Sequence, residues 1–316
     1  MEGLIIFIIS IATIVAIYSI LSMALNIRWG FTGLLDFGIA GFFAIGAYTS
    51  AILTSPASEE IVFGFKHSLG YGFPFIVGFL AAALAGALAG YLIGTPTLRL
   101  RGDYLAIMTI GMSEVIRFLA LNEKWLTRGA QGIRNLPRPL SGHSVILDTL
   151  FYFILVLIIL LILYFISQRI YNSPLGRVLK GIREDEIVTE ALGKKIVRFR
   201  MLSFVTGAAY AGMAGSLWVH YSGSIMPHEF APDITFLIWV SLVIGGIGNN
   251  KGAILGTLVL IGIIHQGTRF LPTIPGYTYL IPGLRVIFIG LILIICLRFR
   301  PQGLIPEKAV KMGEEI

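Results

Sequence analysis

Charge is scarce in this chain of 316 residues: Asp, Glu, Lys and Arg make up 13% of it, against about 25% in soluble domains. That shortage excludes an ordinary soluble domain. Disorder is excluded as well, since 56% of the residues are hydrophobic and the mean hydropathy is +0.86, the reverse of a disordered composition. Cysteine is almost absent. Cys296 alone allows neither an intrachain disulfide nor a cysteine-based metal cluster. The phosphate-cradling sequence G-x-x-x-x-G-K-[ST] is missing. The nearest glycine-rich stretch, GGIGNNKG at 245–252, has the wrong spacing, so the chain by itself is no ATPase. His67, His143, His220, His228 and His265 are scattered, and His228-Glu229 lacks the second histidine that a zinc site needs. No nucleophile elbow occurs either. The expectation is a protein with no catalytic residue, no metal and no cofactor of its own.

What is present is apolar sequence in lengths that match a bilayer. At about 20 residues per spanning helix, the length holds roughly eight to ten spans and no separate soluble domain. The fold class expected is all-α and polytopic, with one transmembrane domain over 1–316. Residues 4–25 form an uncharged first span, and Met1-Glu2-Gly3 lacks the basic start of a signal peptide, so this span is expected to be retained. Segment 30–53 carries Asp36 and is interrupted by Gly30, Gly33, Gly38, Gly41 and Gly46, which reads as a broken helix. Residues 56–70 read as a polar loop. In the span at 71–94, Gly86, Gly90 and Gly94 recur at the spacing that lets another helix approach closely. Further apolar segments lie at 104–121, 146–166, 201–219, 235–247, 252–265 and 281–297. They bring the count to about nine, with the 235 and 252 segments short for separate crossings.

The chain has 24 Lys and Arg against 17 Asp and Glu. In a soluble protein that surplus points to nucleic acid. In a membrane protein cytoplasmic loops account for it, and no nucleic-acid partner is expected. Basic residues crowd the loop 167–200 (Arg169, Arg177, Lys180, Arg183, Lys194, Lys195, Arg198, Arg200) and the tail (Arg298, Arg300, Lys308, Lys311). Both are therefore expected on the cytoplasmic side of the cell membrane, with the N-terminus outside. One loop disagrees, because 122–145 would be external yet carries Lys124, Arg128, Arg134 and Arg138. Charge within the membrane is costly and marks function by default. Glu114 and Arg117, three apart, share a helix face and can neutralise one another, so a structural pair is favoured over a substrate or proton site. Arg285 follows Pro282-Gly283 and suits snorkelling to an interface. Asp36, among glycines, suits capping of exposed backbone amides or a place on a cavity.

One long hydrophilic stretch carries helix signals, residues 172–200. Ser173-Pro174 is a helix start. A second helix is expected from about Arg183 to Leu192, with Glu184, Asp185 and Glu186 in its first turn and Gly193, Lys194 and Lys195 at its close. Ile187, Val188, Ala191 and Leu192 form one apolar stripe. The acidic turn disfavours an anionic lipid surface, so this short helix is expected to dock on another protein.

REDEIVTEALG at 183–193 resembles the coupling loop of membrane subunits of ABC importers. More specifically, WGFTGLLDFGIAGFFAIGAYTSAIL at 29–53, LRLRGDYLAIMTIGMSEVIRF at 98–118, SPLGRVLKGIREDEIVTEALG at 173–193 and RPQGLIP at 300–306 resemble the branched-chain amino acid permease family, its LivM-type subunit. The stretches run in family order over nearly the whole chain. The resemblance implies that Glu190, Ala191 and Gly193, with the preceding Arg183, Glu184, Asp185 and Glu186, couple to an ATP-binding subunit. It also implies a second, related permease, two ATP-binding cassette subunits and an external substrate-binding protein. The function so implied is half of a path for branched-chain amino acids across the lipid bilayer, driven by ATP hydrolysis elsewhere. Urea, short-chain amides or another amino acid stay open as solutes, as does an ion- or proton-coupled secondary transporter using Asp36 and Glu114. Non-helical backbone at membrane depth marks cavities. The expected lining is therefore 33–48, with Gly33, Asp36, Gly38, Gly41 and Tyr48, and 241–252, with Ser241, Gly245, Gly246 and Gly248.

Overall fold

The computed structural model describes residues 2–56, 60–62, 65–67, 70–100, 102–267 and 280–307. Helix α1, Glu2–Leu25, continues through a π turn at Asn26–Gly30. Gly33 then ends it, because its left-handed φ of +76° turns the chain at no Cβ cost. Residues 33–38 are non-helical, and α2, Ile39–Thr54, resumes the passage. After Pro74 comes α3, Phe75–Thr97, followed by α4, Asp103–Asn122, and one turn of α5, Lys124–Thr127. Helix α6, Val145–Asn172, leads to α7, Pro174–Glu184, and α8, Glu186–Ala191. The chain then returns through α9, Ile196–Ser222. The remainder is α10, Pro232–Gly245; α11, Asn250–Thr257, with a π-helical extension to His265; and α12, Leu280–Phe299. Of the loop 56–70, a two-stranded hairpin pairs Glu60–Val62 (β1) with Phe65–His67 (β2), while Glu59 lies outside the described residues.

The protein is an all-α, multi-pass membrane protein. Among the described residues five helices are long and apolar enough to cross a membrane, and six if α10 and α11, bent 118° to one another, form one broken span. The expected count of about nine treated those two arms separately, took 30–53 as a span that the structure makes from an unwound stretch and a 16-residue helix, and included 281–297, which falls within the 20-residue α12. Gly78, Ala82, Gly86, Gly90 and Gly94 are the buried stripe of α3, of which Gly78 packs on α2 and the other four are pressed onto α9. A Cβ on Gly86 would lie 2.5 Å from the Ala208 carbonyl oxygen, so the small residues set how closely the two backbones approach.

Two ends of the bundle are fixed by contacts. At one, Arg183 meets the Gly30 carbonyl and Glu307, while Leu304 N–H and Ile305 N–H donate to the carbonyls of Ile244 and Gly245. At the other, Ile133–Arg134 (β3) pairs with Ser224–Ile225 (β4), and Leu136 N–H donates to Gly223. The loop 122–145 thus sits at the end opposite Arg183, despite its basic residues. Lys308 and Lys311 lie outside the described residues.

Candidate functional site

Unwinding residues 33–38 strips their backbone of helical partners, and each freed group must find another inside the protein. Phe37 N–H donates to Thr109 Oγ1 of α4 at 3.0 Å, and Ala40 N–H donates to Thr235 Oγ1 of α10 at 3.3 Å. The Asp36 carbonyl accepts from Trp239 Nε1 at 2.9 Å. Asp36 itself is fully buried. Its Oδ1 accepts the Gly38 N–H at 2.8 Å, at the N-cap of α2, where the helix dipole favours a carboxylate.

The other oxygen, Oδ2, accepts from Arg28 Nη1 in an ion pair with no exposure on either side. Arg28 lies on the π turn that closes α1. Its guanidinium is sandwiched between the rings of Phe42, 4.4 Å away, and Phe204, 4.2 Å away, and its Nε donates to the Phe204 carbonyl at 3.1 Å. Gly207 makes room, since a Cβ there would sit 2.5 Å from Arg28 Nε. Sequence reasoning missed Arg28, which lies between the first apolar run and the glycine-broken segment. The signal that finds it is the rule that a buried carboxylate needs a cation, and Arg28 is the nearest in sequence.

The unwound segment meets α10 through aromatic rings, at residues just before the second segment expected to line a path. Trp239 of α10 stacks on Phe37 with ring centroids 4.2 Å apart and planes within 4°. Trp29 lies against Trp239 at 3.8 Å, and Phe236 touches Phe37 at 5.7 Å. This ladder reaches the protein surface at Phe236, which is half exposed. Of the named residues Gly33 is exposed, whereas Asp36, Gly38, Gly41, Tyr48, Ser241, Gly245, Gly246 and Gly248 are buried. Gly41 packs on Ser113 and Ile116 of α4. Tyr48 lies near Phe230 and borders a cavity of about 120 Å³ shared with Ile116 and Leu119. Ser241 Oγ donates to the Ile238 carbonyl. Gly245 packs on Gly252 and Gly256, and Gly246 on Ile305. Gly248 N–H donates to Asn26 Oδ1 at 2.9 Å, beside Arg183 and Glu307. Residues 245–248 are thus the apex of the α10–α11 bend.

Glu114 and Arg117 form a two-pronged ion pair, Nε–Oε1 3.0 Å and Nη2–Oε2 2.6 Å, on a partly exposed face of α4. They do not reach Asp36.

The segment after α6 begins as expected, with Ser173 Oγ accepting the Gly176 N–H. The following helix is shorter than expected. Glu184 closes α7, and Asp185 adopts extended backbone and caps α8 by accepting the Val188 N–H at 3.0 Å, so helix starts at Glu186 rather than Arg183. An aspartate competes with the helical backbone and favours a cap over an interior place. Gly193 is left-handed, φ +77°, and ends the turn. Ile187, Val188, Ala191, Leu192 and Glu190 all face outward, Ile187 being 78% exposed. Glu186 turns back to pair with Arg200 at 2.9 Å. Arg183 joins four pieces: the Gly30 carbonyl, Gly33 packed on its side chain, Gly248 near its Nη1, and Glu307 at 2.7 Å. Lys180 also approaches Glu307, at 3.6 Å. Burial lowers the Lys180 ammonium below the usual lysine range, and Glu307 offsets part of that shift. Among the described residues no group of three His, Cys, Asp or Glu is placed to hold a metal ion.

Residues 7–297 match the family model described as branched-chain amino acid transport system / permease component. The high-affinity branched-chain amino acid transport system permease protein LivM of Escherichia coli K12 is 32% identical over 94% of this chain and 70% of its own length. A Methanocaldococcus jannaschii protein named "Probable branched-chain amino acid transport permease protein LivM" is 29% identical over 93% and 92%. The corresponding LivH protein of Salmonella typhimurium is 25% identical over 78% of this chain and 80% of its own. No solved structure matches the chain. With residues 7–297 matched by the family model and a relative 32% identical over 94% of this chain, the chain belongs to the family of branched-chain amino acid transport permease components.

Proposed function

We propose that this chain is one permease subunit of an ATP-driven importer of branched-chain or similarly hydrophobic amino acids. It would work with a second related permease, two ATP-binding cassette subunits and an external binding protein. It performs no hydrolysis itself. In this reading the end holding Arg183 and Glu307 is cytoplasmic, which puts the C-terminus inside and the loop 122–145 outside. The observation that carries the reading is the geometry at Arg183. The α8 stripe is exposed and unpartnered, yet Arg183, at the end of the adjoining helix, touches the close of α1, the start of the unwound segment and the apex of the α10–α11 bend. A push on α8 therefore reaches both segments proposed to shape the path, as a rigid-body movement of packed elements. Exposed Gly33 and the aromatic ladder would face the solute, and the buried glycines would hold the backbone behind them.

Full burial of Asp36, with both carboxylate oxygens engaged, favours this reading over proton-coupled transport through that residue. The test is Val188→Cys in a Cys296→Ser background, cross-linked in the assembled transporter. A covalent adduct with an ATP-binding subunit and uptake dependent on that subunit are expected. Uptake that persists without any ATP-binding subunit would overturn the proposal.

A further inference from the structure

Beside Gly193, on the side away from Arg183, the structure holds a second feature that coupling does not use. A cavity of about 760 Å³ opens between the ends of α3 and α9. Its rim carries Lys194, Lys195 and Arg198, all exposed, and among the described residues none of the three has an ion-pair partner. Its wall is of another character: Tyr91 of α3, 57% exposed, with Leu202, 45% exposed, and Val205 of α9. Val205 lies nine residues beyond Ile196 along α9, about 14 Å at 1.5 Å per residue. The cations thus sit where α9 begins, and the apolar wall continues along the two spanning helices.

We infer that this cavity binds an anionic phospholipid, its phosphate among Lys194, Lys195 and Arg198 and its acyl chains along Tyr91, Leu202 and Val205. Three unpaired cations at the foot of a spanning helix attract an anionic headgroup, an exposed tyrosine suits the interfacial layer, and an apolar wall in line with the spans suits hydrocarbon. An acidic protein surface would match the cations but would leave the wall against polar atoms. Charge separates this site from its neighbour. Glu184, Asp185, Glu186 and Glu190 precede Gly193, and Lys194, Lys195 and Arg198 follow it. The α8 face therefore repels the lipid that the far side of Gly193 holds. The inference depends neither on the solute nor on the orientation in the membrane.

Native mass spectrometry of the purified transporter tests it, with phosphatidylglycerol and phosphatidylcholine added in parallel to wild type, K194Q/K195Q/R198Q, K194R/K195R and R134Q. At about 1 kcal/mol per cation near an anionic surface, the triple variant should hold phosphatidylglycerol on the order of a hundredfold more weakly. Binding should survive in K194R/K195R, which keeps the charges and reports on folding, and in R134Q, altered at the opposite end. Phosphatidylcholine should be held weakly by all four. Equal retention of the two lipids, or retention unchanged in the triple variant, overturns the inference. So does displacement of the lipid by an equal concentration of inorganic phosphate, which would make this a plain anion site. Loss of lipid binding on assembly with the partner subunits would reassign the cavity to a protein contact.

Discussion

Replacing Asp36 by alanine should be among the most destabilising single changes available to this chain, and the structure sets its size. The substitution removes the carboxylate from a guanidinium that has no exposure to water. It leaves Arg28 with its Nε bond to the Phe204 carbonyl and the two flanking rings. Breaking a buried ion pair from one side costs about 3–5 kcal/mol, because the remaining charge is uncompensated. The Gly38 N–H loses its acceptor too, adding roughly 1–3 kcal/mol if nothing replaces it. The flanking rings contribute about 2 kcal/mol as a desolvated cation–π contact, but they are present in the parent as well and so do not lower the difference. The expected loss is about 4–8 kcal/mol, a large part of a typical folding free energy of about 5–15 kcal/mol. Asp36→Asn keeps an acceptor for Gly38 and should lose less. The decisive variant is Arg28→Met with Asp36→Leu, which replaces both charges by apolar side chains and should recover most of the loss. Unfolding titrations in detergent micelles measure all four proteins. A loss below about 1 kcal/mol in Asp36→Ala, or a double variant no more stable than the single, would refute an ion pair that holds the break closed.

Gly193→Val forces a β-branched residue into a left-handed conformation at a cost of roughly 1 kcal/mol or more. It should lower solute-stimulated ATP hydrolysis in the assembled transporter while membrane insertion, checked by protease protection, stays normal. Gly86→Val drives side-chain atoms into the Ala208 carbonyl and should cost about 1–3 kcal/mol as α3 is pushed off α9, read as a lower detergent melting temperature. Arg183→Ala cuts the contacts to Gly30 and Glu307, and should uncouple ATP hydrolysis from uptake more than Glu184→Ala, whose carboxylate is exposed. Glu229, between α9 and α10, is raised above the usual carboxylate range by burial, against a smaller opposing effect of the Trp218 indole donor. Its folded form thus binds a proton more tightly than its unfolded form. Stability should fall as pH rises from the ordinary glutamate value through the raised one, and Glu229→Gln should remove that slope in a pH series of unfolding curves.

Composition and run lengths alone determined that this chain lives in a membrane as helices, because the polar backbone of an apolar segment in lipid has few other ways to satisfy its hydrogen bonds. Local signals were as legible: Ser173 as a cap, Gly193 as a left-handed stop, the break between Gly33 and Gly38, and the exposed stripe of α8. All are short-range, set by one residue's sterics or by helical spacing. Where two local rules competed the reading missed, as at Asp185, which caps a helix that was expected to begin at Arg183 and begins at Glu186. Tertiary structure decided what no spacing encodes. Arg28 became the partner of Asp36, Trp239 and Phe37 bridged segments some two hundred positions apart, and Glu307 closed on Arg183. Each pairing depends on which helix packs beside which. That choice rests on the summed fit of many small side chains, such as the glycine stripe of α3 on α9, and no single residue announces it.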